Sequence, residues 1–195
     1  MTGNTIEYYN RNAETYYVST VNANMQAQYD MFEKRLLTGA RILDCGCGSG
    51  RDTRYFLEKG YQVAAIDGSM ELCKKATAFT GIKVKNMLFQ DINFENEFDG
   101  VWACASLLHL SPEELPGVFK KIAGALKDGG ILYVSFKFGD YRGERDGRRF
   151  TDLNEESLAQ IIRQIQDLTI QETSITDDAR GDRDEKWLNA ILVKG

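Results

Sequence analysis

Between Arg41 and Thr53 a short apolar run (Ile42, Leu43) ends in an acid, Asp44. Three glycines at alternate positions follow it, Gly46, Gly48 and Gly50. Past this turn the apolar spacing becomes helical through Tyr55, Phe56 and Leu57, and beyond Gly60 a second apolar run spans Tyr61 to Ile66. The pattern reads strand, tight turn, helix, strand. In such a unit the glycines let the backbone approach a ligand lying across the strand's carboxyl end and the helix N-terminus. The second strand also ends in an acid, Asp67, where a ribose diol finds hydrogen-bond acceptors.

The third position after the second glycine decides between ligands. A dinucleotide fingerprint is Gly-x-Gly-x-x-Gly; Gly46 and Gly48 fill its first two places, but Arg51 occupies the third. What stands instead is Asp-x-Gly-x-Gly-x-Gly, with Asp67 one strand later. This resembles the first motif of the class I S-adenosylmethionine-dependent methyltransferases. The likeness continues in the Phe98-Asp99-Gly100-Val101 strand and in Leu126-Lys127-Asp128-Gly129-Gly130 before another apolar run. It covers the chain from about residue 24 onward, specifically in the first half and only architecturally in the second.

The resemblance implies an α/β fold: a Rossmann-like, doubly wound, seven-stranded sheet, mostly parallel, with a C-terminal antiparallel hairpin and helices on both faces. It implies S-adenosylmethionine as cofactor, S-adenosylhomocysteine as product, and methyl transfer by direct displacement onto an acceptor. Asp44, Gly46, Cys47, Gly48, Gly50, Gly68 and Ala105 fall around the cofactor by this likeness, with Asp67 on the ribose and Met70 against the adenine. Asp91 matches the acid that accepts from the adenine's exocyclic amine, and Ile92 supplies neighbouring backbone. In similar proteins a Tyr-rich N-terminal segment folds over the cofactor, so residues 1–23 are expected to form a cap on a single domain, 24–195. One of Tyr9, Tyr16 or Tyr17 then lines the site, or these rings pack on an outer helix.

Composition narrows the partners. The 195 residues suit one domain with a single core, and the net charge of −5 argues against an electrostatic grip on nucleic acid. A small-molecule acceptor is therefore expected. No apolar run reaches the roughly 18 to 20 residues of a membrane span, and the polar, aromatic first 17 residues do not read as a signal peptide. A cytoplasmic protein is expected. Cys45 and Cys47 flank a motif glycine with no histidine pair near them, which is poor zinc spacing; neither a metal nor a disulfide framework is expected from Cys45, Cys47, Cys73 and Cys104.

Taken in order, a helix is expected over about Asn24 to Leu37, stopped by Gly39, then a strand from Arg41 to Cys45. A helix from about Asp52 to Lys59 precedes the strand Gln62 to Asp67 and a helix running to about Phe79. Further strands are expected at Ile82 to Phe89, Phe98 to Ser106 and Ile131 to Phe138, with an acidic loop at Asn93 to Glu97. Ser111-Pro112-Glu113-Glu114 reads as the capped start of a helix reaching about Leu126. A capped helix at Thr151 to Gln166 leads to two late strands, Leu168 to Thr176 and Lys186 to Val193, joined by the charged connection Asp177 to Glu185.

Three further features bear on chemistry. Arg51 offers a fork for the carboxylate of the cofactor's methionine part, or is a solvated turn residue. His109, the only histidine, sits just past a strand's carboxyl end; it is a candidate general base, substrate contact, or packing residue. The Gly-rich, charged stretch 137–150 is a candidate lid whose Arg145, Arg148 and Arg149 could hold an anionic substrate, or it is a solvated loop. Two other readings remain: a cofactor-binding module without turnover, and a nicotinamide-dependent oxidoreductase, against which Arg51 counts.

Overall fold

The computed structural model describes residues 3–180 and 184–195. Seven strands form one sheet in the order β3-β2-β1-β4-β5-β9-β8. These are β1 (Arg41–Cys45), β2 (Gln62–Asp67), β3 (Lys85–Asn86), β4 (Phe98–Ala103), β5 (Leu126–Lys137), β8 (Leu168–Asp177) and β9 (Lys186–Lys194). Strands β3, β2, β1, β4 and β5 are parallel, and β9 runs against both β5 and β8. The doubly wound, Rossmann-like architecture expected from the sequence is present. The chain builds outward from β1 to β3, then returns to the other side of β1 with β4. That reversal opens a crevice at the carboxyl ends of β1 and β4, the usual ligand position in such sheets.

Alternation along β1 divides the core. Ile42 faces a layer made by α3 (Gln26–Glu33) and α4 (Arg51–Glu58), in which Phe32, Phe56, Trp102 and Tyr133 are fully buried. Leu43 and Cys45 face the opposite layer, with Phe119 and Ile122 of α6 (Leu115–Ala125) and Leu158 and Ile161 of α7 (Glu155–Ile162). A Cβ on Gly100 would lie 2.7 Å from the Phe32 ring, so that ring packs directly on the β4 backbone. Helix α5 (Met70–Thr80) is capped by Ser69, whose hydroxyl accepts from the Leu72 N–H at 3.2 Å.

Several boundaries differ from the sequence reading. The N-terminal stretch, in which no element was legible, forms two helices, α1 (Gly3–Arg11) and α2 (Ala13–Thr20); residues 1 and 2 of the expected cap lie outside the described residues. Tyr9 and Ala13 pack on Leu72, and so lay these helices against α5. The strand expected over Ile82 to Phe89 shrinks to two residues: Phe89 and Ile92 turn inward to join the core, and a 3-10 turn replaces the pairing. The helix expected from Ser111 begins at Leu115, with Pro116 in its first turn. Ser111 to Glu114 close a separate turn instead, in which the Ser111 N–H donates to the Glu114 carboxylate. Thr151 ends a strand rather than starting a helix: its buried hydroxyl donates to the Leu110 carbonyl at 2.7 Å, and Asn154 with Ser157 caps α7. Within 137–150, β6 (Arg142–Arg145) and β7 (Arg148–Thr151) pair as a two-stranded hairpin. Residues 181–183 of the Asp177 to Glu185 connection lie outside the described residues.

Replacing Phe32 with Ala removes a fully buried ring from the interlayer contact and is expected to cost about 3 to 5 kcal/mol. Urea denaturation checks this; a loss below about 1 kcal/mol would show that α3 is not held by this ring.

Candidate active site

The turn after β1 folds back onto β2. The Gly46 and Cys47 N–H groups both donate to the Ile66 carbonyl, at 2.9 and 3.0 Å, and the Gly50 N–H reaches the Cys47 carbonyl at 2.9 Å. Gly46 (φ +88°) and Gly48 (φ +55°) take left-handed backbone that side chains rarely adopt. A Cβ at Gly46 would stand 2.5 Å from the Ser106 Cβ, and one at Gly48 would stand 3.0 Å from the Tyr16 ring. The path beside the turn is thus open only because no side chain fills it.

Asp67 ties this turn to the next helix. Its Oδ2 accepts from the Gly48 N–H at 2.9 Å and its Oδ1 from the Ser69 N–H at 2.8 Å. Burial raises its pKa, and the two N–H groups partly offset that. An ionised carboxylate has about four lone-pair sites, so two remain for a diol. Acid, glycine cradle and strand ends together fit the ribose and backbone requirements of S-adenosylmethionine.

Behind the turn lies a second acid. Asp52 is buried and accepts from the Arg51 fork at 2.7 and 2.8 Å, from the Tyr29 hydroxyl at 2.5 Å and from the Trp102 indole N–H at 2.9 Å. Burial works against its charge, but the Arg51 guanidinium and these donors outweigh it and hold the carboxyl below the usual range. Burial, then the charge of Asp52, raises neighbouring Asp44, which accepts from the Thr53 hydroxyl at 2.6 Å.

Beside this network a cavity of about 130 Å³, partly open to solvent, runs along the carboxyl ends of β1, β4 and β5. Gly46, Cys47, Arg51, Cys104, Ala105 and His109 form its floor, and Tyr9, Tyr16, Arg148 and Phe150 lie on the side of the N-terminal helices and β7. Ala105 takes φ +49°, unusual for a side-chain-bearing residue, and its N–H donates to the Ser135 hydroxyl at 2.8 Å. The Tyr9 hydroxyl and His109 Nε2 are 2.7 Å apart, and His109 Nδ1 lies 2.7 Å from the Arg149 carbonyl.

Of the residues singled out in the sequence, Gly46, Cys47, Arg51, Ala105, His109, Tyr9, Tyr16 and Arg148 line this cavity. Asp44, Gly48, Gly50, Asp67 and Gly68 stand next to it in the turn and at the end of β2, outside its lining. Met70 is 47% exposed on α5, Asp91 is exposed in the 3-10 turn, and Ile92 is buried in the core. Arg145 pairs with Asp152 and stacks 3.7 Å over Tyr141, and Arg149 meets His109 Nδ1 through its carbonyl; neither lines the cavity. Sequence reasoning missed Asp52 as a hub, because Tyr29 and Trp102 read as ordinary core positions. It also missed Ser135 of β5, and the walls made by Arg180, Trp187 and Asn189, which the placement of β9 beside β5 brings to the cavity. Among the described residues no group of three or more His, Cys, Asp or Glu side chains is arranged to hold a metal, and no helix is long and apolar enough to cross a membrane.

Residues 42–130 match the family model described as a methyltransferase domain. The chain is 27% identical over 167 residues to an uncharacterized methyltransferase of Staphylococcus carnosus, covering 78% of this chain and 81% of that protein. It is 36% identical over 114 residues to a ubiquinone biosynthesis O-methyltransferase of Xylella fastidiosa, covering 54% of this chain but only 46% of that relative, so the match spans about half that protein's length. The fold is similar to that of Burkholderia thailandensis 1,6-didemethyltoxoflavin-N1-methyltransferase, solved with 1,6-didemethyltoxoflavin and S-adenosylhomocysteine: TM-score 0.77, 23% identity, 97% of this chain and 84% of that one. It is also similar to the fold of the [4+2]-cyclase SpnF, with TM-score 0.71, 19% identity and 96% and 94% coverage. Residues 42–130 thus match a methyltransferase domain, and the glycine cradle, the acid at the end of β2 and the strand order fit the class I S-adenosylmethionine-dependent methyltransferases.

Proposed function

We propose that the methyl acceptor is a small molecule held in the cavity beside the glycine turn, with Tyr9 and His109 handling its proton. The observation that carries this is the 2.7 Å contact between the Tyr9 hydroxyl and His109 Nε2 on the cavity wall. In this reading the Gly46–Gly50 backbone and Asp67 hold the cofactor's ribose side, and Met70, Asp91 and Ile92 its adenine. Cys47, Arg51, Ala105 and Tyr16 surround its methionine end, where the third guanidinium nitrogen of Arg51, Nη1, faces only the Thr20 carbonyl at 3.5 Å. Helices α1 and α2 act as the cap over it, and the β6–β7 hairpin as the lid. A partly enclosed cavity and a net charge of −5 favour a small acceptor over nucleic acid. The four free cysteines, three of them buried, fit a reducing cytoplasm.

When bound, S-adenosylmethionine supplies a methyl group made electrophilic by its sulfonium charge. The chain's part is to position the acceptor, exclude water and move a proton. A carbonyl oxygen only accepts, so the 2.7 Å contact to Arg149 puts the imidazole proton on Nδ1. Nε2 is then an acceptor and the Tyr9 hydroxyl donates to it. A proton arriving from the acceptor at the Tyr9 oxygen passes the tyrosine's own proton to Nε2. Burial lowers the His109 pKa to about 4 and pushes Tyr9 up to about 12, so neither group keeps a charge at neutral pH. The pair therefore works as a relay rather than a store.

Two outcomes test this. With labelled S-adenosylmethionine and a panel of small acceptors, His109→Gln is expected to lower turnover about a hundredfold while S-adenosylhomocysteine affinity stays unchanged. Full turnover would leave His109 a packing residue, and cofactor binding with no product on any acceptor would favour the binding-module reading. Because the folded pKa of His109 is depressed, the unfolded chain binds more protons between about pH 6.5 and 4. The stability this group contributes is full above that window and is lost as pH falls through it, by at most about 1.4 kcal/mol per pH unit. Melting curves should show a steeper acid-side decline in the native protein than in His109→Gln; parallel declines would contradict it.

A further inference from the structure

The charges in the cavity wall are matched with one exception. Arg51 is paired with Asp52, Arg180 with Asp178, and Lys137 with Glu185. Arg148 also lines the cavity and makes no ion pair among the described residues. Its guanidinium carbon instead lies 4.4 Å from the ring centre of Tyr8 and 5.2 Å from that of Phe150, so flat rings hold the group in place. Its Nε is shut off from solvent and has no hydrogen-bond partner. A buried, charged N–H without an acceptor is costly, and such groups are rarely left so in folded proteins.

The chemistry of the missing partner follows from the donor. With its Nε sealed from solvent, Arg148 has its two terminal Nη groups left for the cavity, and their N–H donors lie in a single plane that two oxygens of one carboxylate fit together. Arg148 reaches the same cavity as the Tyr9–His109 pair, so an anion held there would lie alongside the proton relay. We infer that the acceptor is a small carboxylic acid, its carboxylate gripped by the Arg148 fork as a handle while a second heteroatom receives the methyl. This rests on the cavity's being the acceptor site. The handle keeps its negative charge throughout, and the guanidinium dampens its nucleophilicity, so the fork selects the substrate and leaves methylation to the other group. Arg145 and Arg149, the other arginines of the hairpin considered for this purpose, do not line the cavity.

The test uses benzoate, its neutral isostere benzamide, and phenyl phosphate as probes, titrated by calorimetry into the whole protein with and without S-adenosylhomocysteine. Benzoate is expected to bind saturably and about tenfold or more tighter than benzamide, in line with one charge-assisted hydrogen-bond pair. Arg148→Ala should erase that preference without changing the affinity for S-adenosylhomocysteine. Arg148→Lys, which keeps the charge but loses the fork, should retain only part of it. Equal affinity for benzoate and benzamide, absence of benzoate binding, or a preference that survives Arg148→Ala would overturn the proposal, and a stronger grip on phenyl phosphate would overturn its carboxylate class. If Arg148→Ala does not fold, Arg148→Gln makes the same comparison. Benzoate binding is read without cofactor, so a protein that takes benzoate through Arg148 but no S-adenosylhomocysteine overturns the cofactor reading alone.

Discussion

The ligand edge of this domain depends on a backbone fold-back. Two consecutive N–H groups, of Gly46 and Cys47, share the Ile66 carbonyl, and the next, of Gly48, donates to the Asp67 carboxylate. Those bonds fix the glycine turn at the end of the neighbouring strand and turn the acid towards it. They also demand left-handed backbone at Gly46 and Gly48, where a side chain would meet Ser106 or Tyr16. A single strand-to-strand clamp therefore sets both the open path beside the turn and the buried carboxylate that closes it.

Charge in the interior is arranged around that clamp. Asp44, Asp52 and Asp67 are all buried within a few residues of it, and each has a different solution. Asp52 is compensated by the Arg51 fork and two neutral donors, Asp67 by two backbone N–H groups, and Asp44 by a single hydroxyl while burial and the charge of Asp52 raise its pKa. A buried pair such as Arg51–Asp52 adds little net stability by itself, because desolvation consumes much of the attraction. Its role is positional. The same carboxylate that holds Arg51 also anchors α3 through Tyr29 and β4 through Trp102, so three elements meet at one buried charge.

Much of this was legible in the sequence, and for identifiable reasons. Strands β1 and β2 were placed to the residue because apolar runs bounded by Gly and Asp leave little choice of register. The glycine pattern with Asp67 carried the family, since each position answers a local backbone or hydrogen-bonding need. Boundaries failed where a distant contact decides the local structure: Thr151 bonds the Leu110 carbonyl and so ends a strand, and Phe89 turns into the core and shortens β3. The cavity wall was legible only in part. Tyr9, His109 and Arg148 were candidates by residue type, but nothing in a linear sequence brings residue 9 to within 2.7 Å of residue 109. The unmatched charge of Arg148 emerges only once every other cation of the wall is seen with its partner.

The most direct measurement is a parallel calorimetric titration of the native protein and Asp67→Ala with S-adenosylhomocysteine and NAD. The account expects saturable binding of S-adenosylhomocysteine, weakened about tenfold or more by Asp67→Ala, and none of NAD. Binding of NAD alone, or an Asp67→Ala variant that binds S-adenosylhomocysteine unchanged, would contradict the clamp as the seat of the cofactor.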